Sequence, residues 1–234
     1  MIPEWRIPPL KPVLLEREVH VWYADFARAR DSGQAAKCLS SEERARAGRF
    51  TSEQAGRAYI LSHGFLRNVL ARYLKQTPST IPFDSDVRGK PHLKKQGDEP
   101  PLQFNLSRCH SGAICAVAVE TLVGVDLESL NPALCADSTA EQVFTPLELR
   151  QLSSLEGDRR ILAFFQCWTR KEAYAKCTGT GLSSELKSIT VGLEDTSITL
   201  GQSFLATFPC PGGEIASIAF AATPVEVRFW HIAS

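Results

Sequence analysis

Two stretches of this sequence decide how the chain folds around its chemistry: Gly124-Val125-Asp126-Leu127-Glu128 and Trp168-Thr169-Arg170-Lys171-Glu172-Ala173-Tyr174-Ala175-Lys176. The first is an apolar strand that ends in acids. Because side chains alternate along a strand, Asp126 and Glu128 point to the same face. Two carboxylates on one face suit a hard cation, although a solvated strand end has the same pattern.

The second stretch has helical spacing. Trp168, Glu172 and Lys176 lie at positions i, i+4 and i+8, so a helix places them on one stripe, with Lys171 beside them. A stripe that faces a core is normally aliphatic, whereas this one combines an aromatic ring, an acid and two bases. We therefore expect it to line a site, the alternative being an exposed helix face with an ordinary surface ion pair.

Composition restricts the class of protein. The chain has 234 residues, 44% of them hydrophobic, which is enough to bury a sizeable core. Lys and Arg (26) balance Asp and Glu (26), which argues against nucleic acid or an anionic membrane as the partner. The seven cysteines include no C-x-x-C pair, which favours a reducing, cytoplasmic location over disulfides or a zinc site. The sequence lacks an apolar run of roughly 20 residues and a secretory signal pattern.

Periodicity gives a coarse order of elements. Apolar residues have helical spacing over residues 52–73 and 160–177, and Thr145, Pro146 and Glu148 mark the start of another helix. Apolar runs predict strands at residues 18–24, 102–106, 113–119, 122–127, 188–193, 197–200, 215–222 and 225–232. Because both halves of the chain combine strands and helices in a similar order, we expect an α+β fold.

In combination and order, the two stretches resemble the paired signature of the 4′-phosphopantetheinyl transferases. The resemblance is closest to the two-domain type that activates nonribosomal peptide and polyketide synthases. Further segments agree, namely Arg88-Gly89-Lys90-Pro91, Phe104-Asn105-Leu106-Ser107, Phe144-Thr145 with Glu148, and Gly179-Thr180-Gly181-Leu182. The resemblance covers residues 40–222. It implies two pseudo-symmetric halves, 1–121 and 122–234, each a small antiparallel sheet packed with helices, with the active site in the cleft between them.

The resemblance also implies an activity and a metal site. The expected reaction transfers the 4′-phosphopantetheine group of coenzyme A to a serine of an apo acyl or peptidyl carrier protein and releases 3′,5′-ADP. Asp126, Glu128 and Glu172 are expected to hold Mg²⁺, or Mn²⁺, together with the coenzyme A pyrophosphate. Lys176 and Lys171 are expected to contact the phosphate oxygens.

The nucleophile of this reaction comes from the partner protein. Glu148 is expected to take the proton of the carrier serine, directly or through a water; its alternative role is that of an acid in the first turn of a helix. Carrier binding is expected to be transient and the enzyme to be a monomer.

For the nucleotide end, the resemblance favours Arg46, Arg57 and Lys90 in the first half. The family motif F-N-x-S-H-S continues with a histidine after the serine, whereas Ser107 is followed here by Arg108-Cys109-His110. Two alignments stay open. Either His110 keeps the pyrophosphate contact after an insertion, or Arg108 replaces the histidine in register, with a slight preference for His110.

Two other functions are compatible with the sequence. A carrier-protein-binding module that has lost catalysis would explain the altered segment after Ser107. A Mg²⁺-dependent phosphoesterase acting on coenzyme A or holo-carrier would activate water instead of a serine. The first would bind carrier without modifying it, and the second would need no acceptor protein.

Overall fold

The computed structural model of the chain describes residues 2–27, 29, 32–86, 89–94, 102–181, 184–193, 197–221 and 226–232. Helices and strands follow one another in blocks along the chain. Their bounds are β1 (Trp5–Arg6), β2 (Glu18–Asp25), α1 (Gly33–Cys38), α2 (Ser41–Ala47), α3 (Glu53–Leu74), β3 (Phe83–Ser85), β4 (Pro91–Leu93), β5 (Leu102–Arg108), β6 (Gly112–Val119), β7 (Val123–Glu128), α4 (Asp137–Val143), α5 (Pro146–Ser153), α6 (Gly157–Thr178), β8 (Ser197–Leu200), β9 (Ser203–Pro209), β10 (Ile215–Ala221) and β11 (Glu226–Ile232).

The two long helices follow the predicted apolar spacing closely. The side chain of Ser52 caps α3 by accepting a hydrogen bond from the backbone of Ala55. Helix α6 ends at Thr178 and is capped by Gly179, whose positive φ of 73° is a left-handed conformation that glycine adopts without strain. No helix in the described part of the chain is both long and apolar enough to cross a membrane.

The larger sheet has five strands in the order β1-β11-β2-β6-β5. Strands β2, β6 and β5 pair antiparallel, whereas β11 pairs parallel to β1 and β2. Helix α3 covers one face and buries Trp22, Leu66, Val117 and Trp230 against it. The last strand of the chain thus lies in the sheet of the first half, and β11 interlocks the two predicted halves.

The smaller sheet has four antiparallel strands in the order β7-β10-β9-β8. A hydrophobic cluster joins the two sheets, with Val21 and Ala116 from the larger sheet and Val125, Leu127 and Ile218 from the smaller one. A separate cluster packs helices α4, α5 and α6 onto the smaller sheet. The expected α+β fold, with small sheets packed against helices in two halves, is confirmed.

One predicted strand is wrong. Residues 188–193 do not form a strand, because their backbone groups form hydrogen bonds with side chains of α5 and α6 and not with a neighbouring strand. The amide of Val191 donates to Glu148, and the carbonyls of Ile189 and Val191 accept from Lys171 and Arg170. Strand β9, which the periodicity did not predict, fills the sheet instead and pairs with both β8 and β10.

Candidate active site

Strand β7 and helix α6 lie in direct contact, and Gly124 permits it. A Cβ atom at Gly124 would lie 2.1 Å from the carbonyl oxygen of Ala173 and 2.4 Å from the amide nitrogen of Cys177. A side chain at this position would therefore push the strand away from the helix. The close approach makes the two sequence stretches neighbours in space.

A buried carboxylate forms the centre of the site. One oxygen of Asp126, Oδ1, accepts hydrogen bonds from Ser107 Oγ at 2.9 Å and from Lys176 Nζ at 2.6 Å. Lys176 Nζ also donates to Ser107 Oγ at 3.0 Å. The three side chains come from β7, β5 and α6, so this cluster connects a strand of the first half to both motif elements of the second.

Lys90 approaches the same site from the first half. Its Nζ donates to the backbone carbonyl of Lys176 at 2.5 Å, close to the carboxyl end of α6. A cation is favoured there by the helix dipole and by the unpaired carbonyls of the last turn. Burial lowers the pKa of Lys90. The structure thus brings Lys90 to the end of the helix that carries Lys176; Arg88, in the same segment, lies outside the described residues.

Glu128 and Glu172 are half-buried beside Asp126. Burial and the charge of Asp126 raise the pKa of Glu128 to about 7, and the same two causes raise the pKa of Glu172. The second oxygen of Asp126, Oδ2, is buried and has no hydrogen-bond partner among the described residues. Three half-enclosed acids that repel one another are unfavourable as part of a core.

The arginines predicted to contact coenzyme A separate into two groups. The guanidinium carbon of Arg46 lies 5.6 Å from the ring centroid of Tyr59, and that of Arg108 lies 5.7 Å from the same centroid. A cavity of about 700 Å³ opens beside Arg46, lined also by Glu42, Ala45, Arg49 and Phe50. Arg57 instead donates to the carbonyl of Ala29 at 2.7 Å, so the structure does not place it with the other two arginines.

The register of β5 and β6 separates Arg108 from His110. Arg108 is the last residue of β5 and pairs with Ala113, and His110 lies in the turn between the strands. Ser107 faces Asp126, whereas the next side chain, Arg108, faces helix α3. His110 is exposed, with Nδ1 3.5 Å from Ser129 Oγ. The structure thus places Arg108 against helix α3 and His110 in the turn, and which of the two contacts the pyrophosphate stays a prediction.

Comparison with known proteins agrees with this geometry. A family model described as 4′-phosphopantetheinyl transferase superfamily matches residues 122–213, and one described as 4′-phosphopantetheinyl transferase, N-terminal, matches residues 27–122. The 4′-phosphopantetheinyl transferase HetI of Nostoc sp. is 36% identical over 233 residues, which cover 97% of this chain and 98% of that protein. The chain belongs to the 4′-phosphopantetheinyl transferase superfamily.

Other relatives define the type of transferase. The 4′-phosphopantetheinyl transferase Sfp of Bacillus subtilis is 29% identical over 155 residues, 66% of each chain. The L-aminoadipate-semialdehyde dehydrogenase-phosphopantetheinyl transferase of Xenopus laevis is 26% identical over 182 residues, 74% of this chain and 60% of that protein. The predicted two-domain, Sfp-like type is confirmed. The transferase is thus an enzyme that moves 4′-phosphopantetheine from coenzyme A to carrier proteins.

The residues of the transferase fit a magnesium ion that binds together with its substrate. No group of three or more metal-binding side chains converges in the described part of the chain. Mg²⁺ usually takes one or two carboxylates, waters and the phosphate oxygens of a substrate, so a complete protein cage is not required. The partnerless Oδ2 of Asp126 and the two half-buried glutamates supply carboxylate oxygens of the right kind.

Glu148 and Lys171 pair with each other in the interior, contrary to the expectation that both act on the substrates. Both side chains are fully buried, and Lys171 Nζ lies 2.8 Å from Glu148 Oε2. Glu148 also accepts from the backbone amides of Thr145 and Val191, each at 2.8 Å. Lys171 Nζ donates to two further carbonyls, those of Leu186 and Ile189. With these partners, neither group is exposed to a carrier serine or a pyrophosphate.

Sequence reasoning missed Tyr59. Its position fits the apolar spacing that predicts α3, and its side chain is only 3% exposed. What distinguishes it is the pair of arginines, Arg46 from α2 and Arg108 from β5, that meet on its ring. No linear motif contains this arrangement, because the three residues come from three separate elements.

Proposed function

We propose that the transferase is Mg²⁺-dependent and that Asp126, Glu128 and Glu172 hold the ion with the pyrophosphate of coenzyme A. The observation that carries this proposal is the Asp126–Ser107–Lys176 cluster, which joins a strand of the first half to both motif elements. When bound, Mg²⁺, or Mn²⁺ in its place, would neutralise charge on the phosphate oxygens and on the departing 3′,5′-ADP.

The protein side chains then position the reacting groups. Lys176 Nζ has Asp126 and Ser107 as partners and is 29% exposed, so it can also reach a phosphate oxygen in the cleft. Ser107 holds Asp126 Oδ1 in place, which leaves Oδ2 free for the ion. The carrier serine oxygen forms a bond to the β-phosphorus, the bond from that phosphorus to the bridging oxygen breaks, and 3′,5′-ADP leaves with that oxygen.

The serine proton needs an acceptor in the cleft. Glu148 is fully buried against Lys171 and is too enclosed for this role. Glu172 is half-buried beside Asp126 and Lys176, so we propose that Glu172, directly or through a water, receives the proton. Substitution of Glu172 by Gln should then lower kcat, whereas substitution of Glu148 by Gln should leave kcat of the folded enzyme unchanged.

One assay tests the proposed function against its two rivals. The protein is incubated with coenzyme A, Mg²⁺ and an apo-carrier, and the carrier is weighed by mass spectrometry, with and without EDTA. A mass gain of one phosphopantetheine that EDTA abolishes supports Mg²⁺-dependent transfer. Tight carrier binding without a mass gain would instead support the binding module. Breakdown of coenzyme A without acceptor would support the phosphoesterase.

We further propose that residues 1–121 supply the nucleotide-end contacts and residues 122–234 the metal and catalytic groups, within one monomer. Lys90, Ser107 and Arg108 come from the first part, whereas Asp126 and Lys176 come from the second. All seven cysteines are free thiols, which supports a reducing, cytoplasmic location. Light scattering after gel filtration tests the monomer: a mass near 25.8 kDa supports it, and twice that mass contradicts it.

A further inference from the structure

The ring of Tyr59 makes cation–π contacts with two arginines that come from different secondary-structure elements. Arg46 lies in α2 and Arg108 at the end of β5, and both guanidinium groups stand within 6 Å of the ring centroid, at 5.6 and 5.7 Å. This is the distance at which a guanidinium is attracted by the negative face of an aromatic ring. One ring therefore stabilises two cations that would otherwise repel each other.

The ring itself is held rigidly. His63 stacks on it with a centroid distance of 3.8 Å and an interplanar angle of 25°, and Phe50 lies 5.3 Å away. Burial lowers the pKa of His63 to about 4, so this imidazole is neutral at pH 7 and adds no third charge. The ring is only 3% exposed, which fixes its plane against the body of α3. A rigid ring fixes the positions of the two arginines that contact it.

Neither Arg46 nor Arg108 forms an ion pair with an acid among the residues that the structure describes. Burial lowers the pKa of Arg108, and the nearby charge of Arg46 lowers it further. The nearby acid Glu43 is taken by Arg67 and by the cap of α2. Two adjacent guanidinium groups that pair with no described acid can together bind an anion, each with two hydrogen bonds.

We propose that Tyr59 is a positioning residue that aligns Arg46 and Arg108 as a clamp on one phosphate group of coenzyme A. This inference rests on the proposed placement of coenzyme A in the cleft beside Asp126. The chemistry of the clamp is that of a phosphate with at least two free oxygens. Both the 3′-phosphate and the pyrophosphate of coenzyme A have this chemistry.

Three variants distinguish the contribution of the Tyr59 ring from that of its hydroxyl group and from the loss of a buried aromatic side chain in general. Tyr59→Phe keeps the ring and should leave KM for coenzyme A within about twofold of wild type. Tyr59→Leu removes the ring and should raise that KM about tenfold, with kcat at saturating coenzyme A nearly unchanged, because two cation–π contacts are lost. The matched control is Phe65→Leu, which removes a buried ring from the same helix away from the arginines and should leave KM unchanged.

A double substitution shows whether Tyr59 acts through the arginines. In an Arg46→Ala/Arg108→Ala background, Tyr59→Leu should cause no further rise in KM, whereas a merely structural role would add its full effect there. If Tyr59→Leu does not fold, Arg108→Lys provides the same test, since it keeps the charge but loses the planar contact with the ring, and KM should rise about fivefold. An unchanged KM in Arg108→Lys, or full additivity in the triple variant, overturns the proposal.

Calorimetry identifies the phosphate group that the clamp binds. The dissociation constants of coenzyme A and 3′-dephospho-coenzyme A are measured in the presence of Mg²⁺. If Tyr59→Leu weakens both ligands equally, the clamp holds the pyrophosphate; if it weakens only coenzyme A, the clamp holds the 3′-phosphate. Equal binding of both ligands by wild type and Tyr59→Leu contradicts the clamp. Asp126→Ala serves as the reference, because its loss of turnover reports on the proposed metal site independently of Tyr59.

Discussion

Two faces of helix α6 carry the same kinds of side chain and use them differently. On one face, Lys171 is fully buried and paired with Glu148, and four backbone groups complete their hydrogen bonds. On the other face, Lys176 is 29% exposed and paired with Asp126, one of whose oxygens has no partner among the described residues. We refer to these as the anchored face and the open face.

The difference shows how one motif serves both stability and chemistry. A buried ion pair is tolerated only when its remaining hydrogen-bonding capacity is filled, which is the case for Glu148 and Lys171. An ion pair with unused capacity at a cleft costs stability but can bind something else. The anchored face fixes the irregular segment around Leu186 and Val191, which helps to hold α6 in place, and the open face leaves Lys176 and Glu172 partly exposed.

The largest effect is expected on the anchored face. Lys171→Met leaves the Glu148 carboxylate buried without its cation and should lower the free energy of unfolding by about 3–5 kcal/mol in urea denaturation. The folded fraction should still transfer phosphopantetheine at the wild-type rate. The double variant Glu148→Gln/Lys171→Met should recover part of the loss, since it removes both charges. A stable Lys171→Met protein with little transfer would assign Lys171 to the substrate instead.

The next largest effect is expected on the open face, where a substitution should lower activity and leave stability almost unchanged. Asp126→Asn removes one charge from the open face while keeping its size, and it should lower kcat for transfer about 10²- to 10³-fold. The unfolding free energy should change little or rise, because Asp126, Glu128 and Glu172 repel one another. Mass spectrometry of the carrier gives the rate, and urea denaturation gives the stability. Near-normal turnover by this variant would remove Asp126 from the metal site.

Lys176→Met compares the two lysines of one helix directly. We expect transfer to fall about tenfold to a hundredfold, from the loss of a cation at the pyrophosphate. Stability should fall by only about 1 kcal/mol, because the ammonium group is partly solvated and Asp126 keeps its bond to Ser107. Measured beside Lys171→Met, the pair should give opposite ratios of activity loss to stability loss. Equal ratios would mean that the two faces are not distinct.

The sequence predicts which side chains of α6 and β7 share a face better than it predicts the groups that those side chains contact. The spacing of Trp168, Glu172 and Lys176 places them on one stripe, and alternation along β7 separates Asp126 from Val125. Both rules follow from local geometry. Lys171 donates to backbone groups of the segment around residues 186–191. This segment has neither helical nor strand periodicity, so the sequence does not predict that Lys171 is buried against it.

The choice between Arg108 and His110 shows the same limit. It depends on the pairing of β5 with β6, and this pairing extends to Arg108 opposite Ala113, with a turn that contains His110. Neither residue type nor spacing along the chain reveals where a hairpin turns when several polar residues are available. The position of Tyr59 between two arginines was hidden for a related reason, since three elements have to meet before the cluster exists.

The smallest effect tests whether the open face is complete without its substrate. Because no set of three or more metal ligands converges among the described residues, Mg²⁺ alone should shift the unfolding temperature by less than about 1 °C. Coenzyme A with Mg²⁺, each at ten times its dissociation constant, should stabilise the fold by about 1.4 kcal/mol or more per bound ligand. Asp126→Asn should lose the part of the shift that depends on Mg²⁺, and Glu148→Gln should keep it. A large shift of the unfolding temperature with Mg²⁺ alone would mean that the protein side chains bind the ion without the substrate. The open face would then need no phosphate oxygen to fill its binding capacity, just as the anchored face needs no ligand.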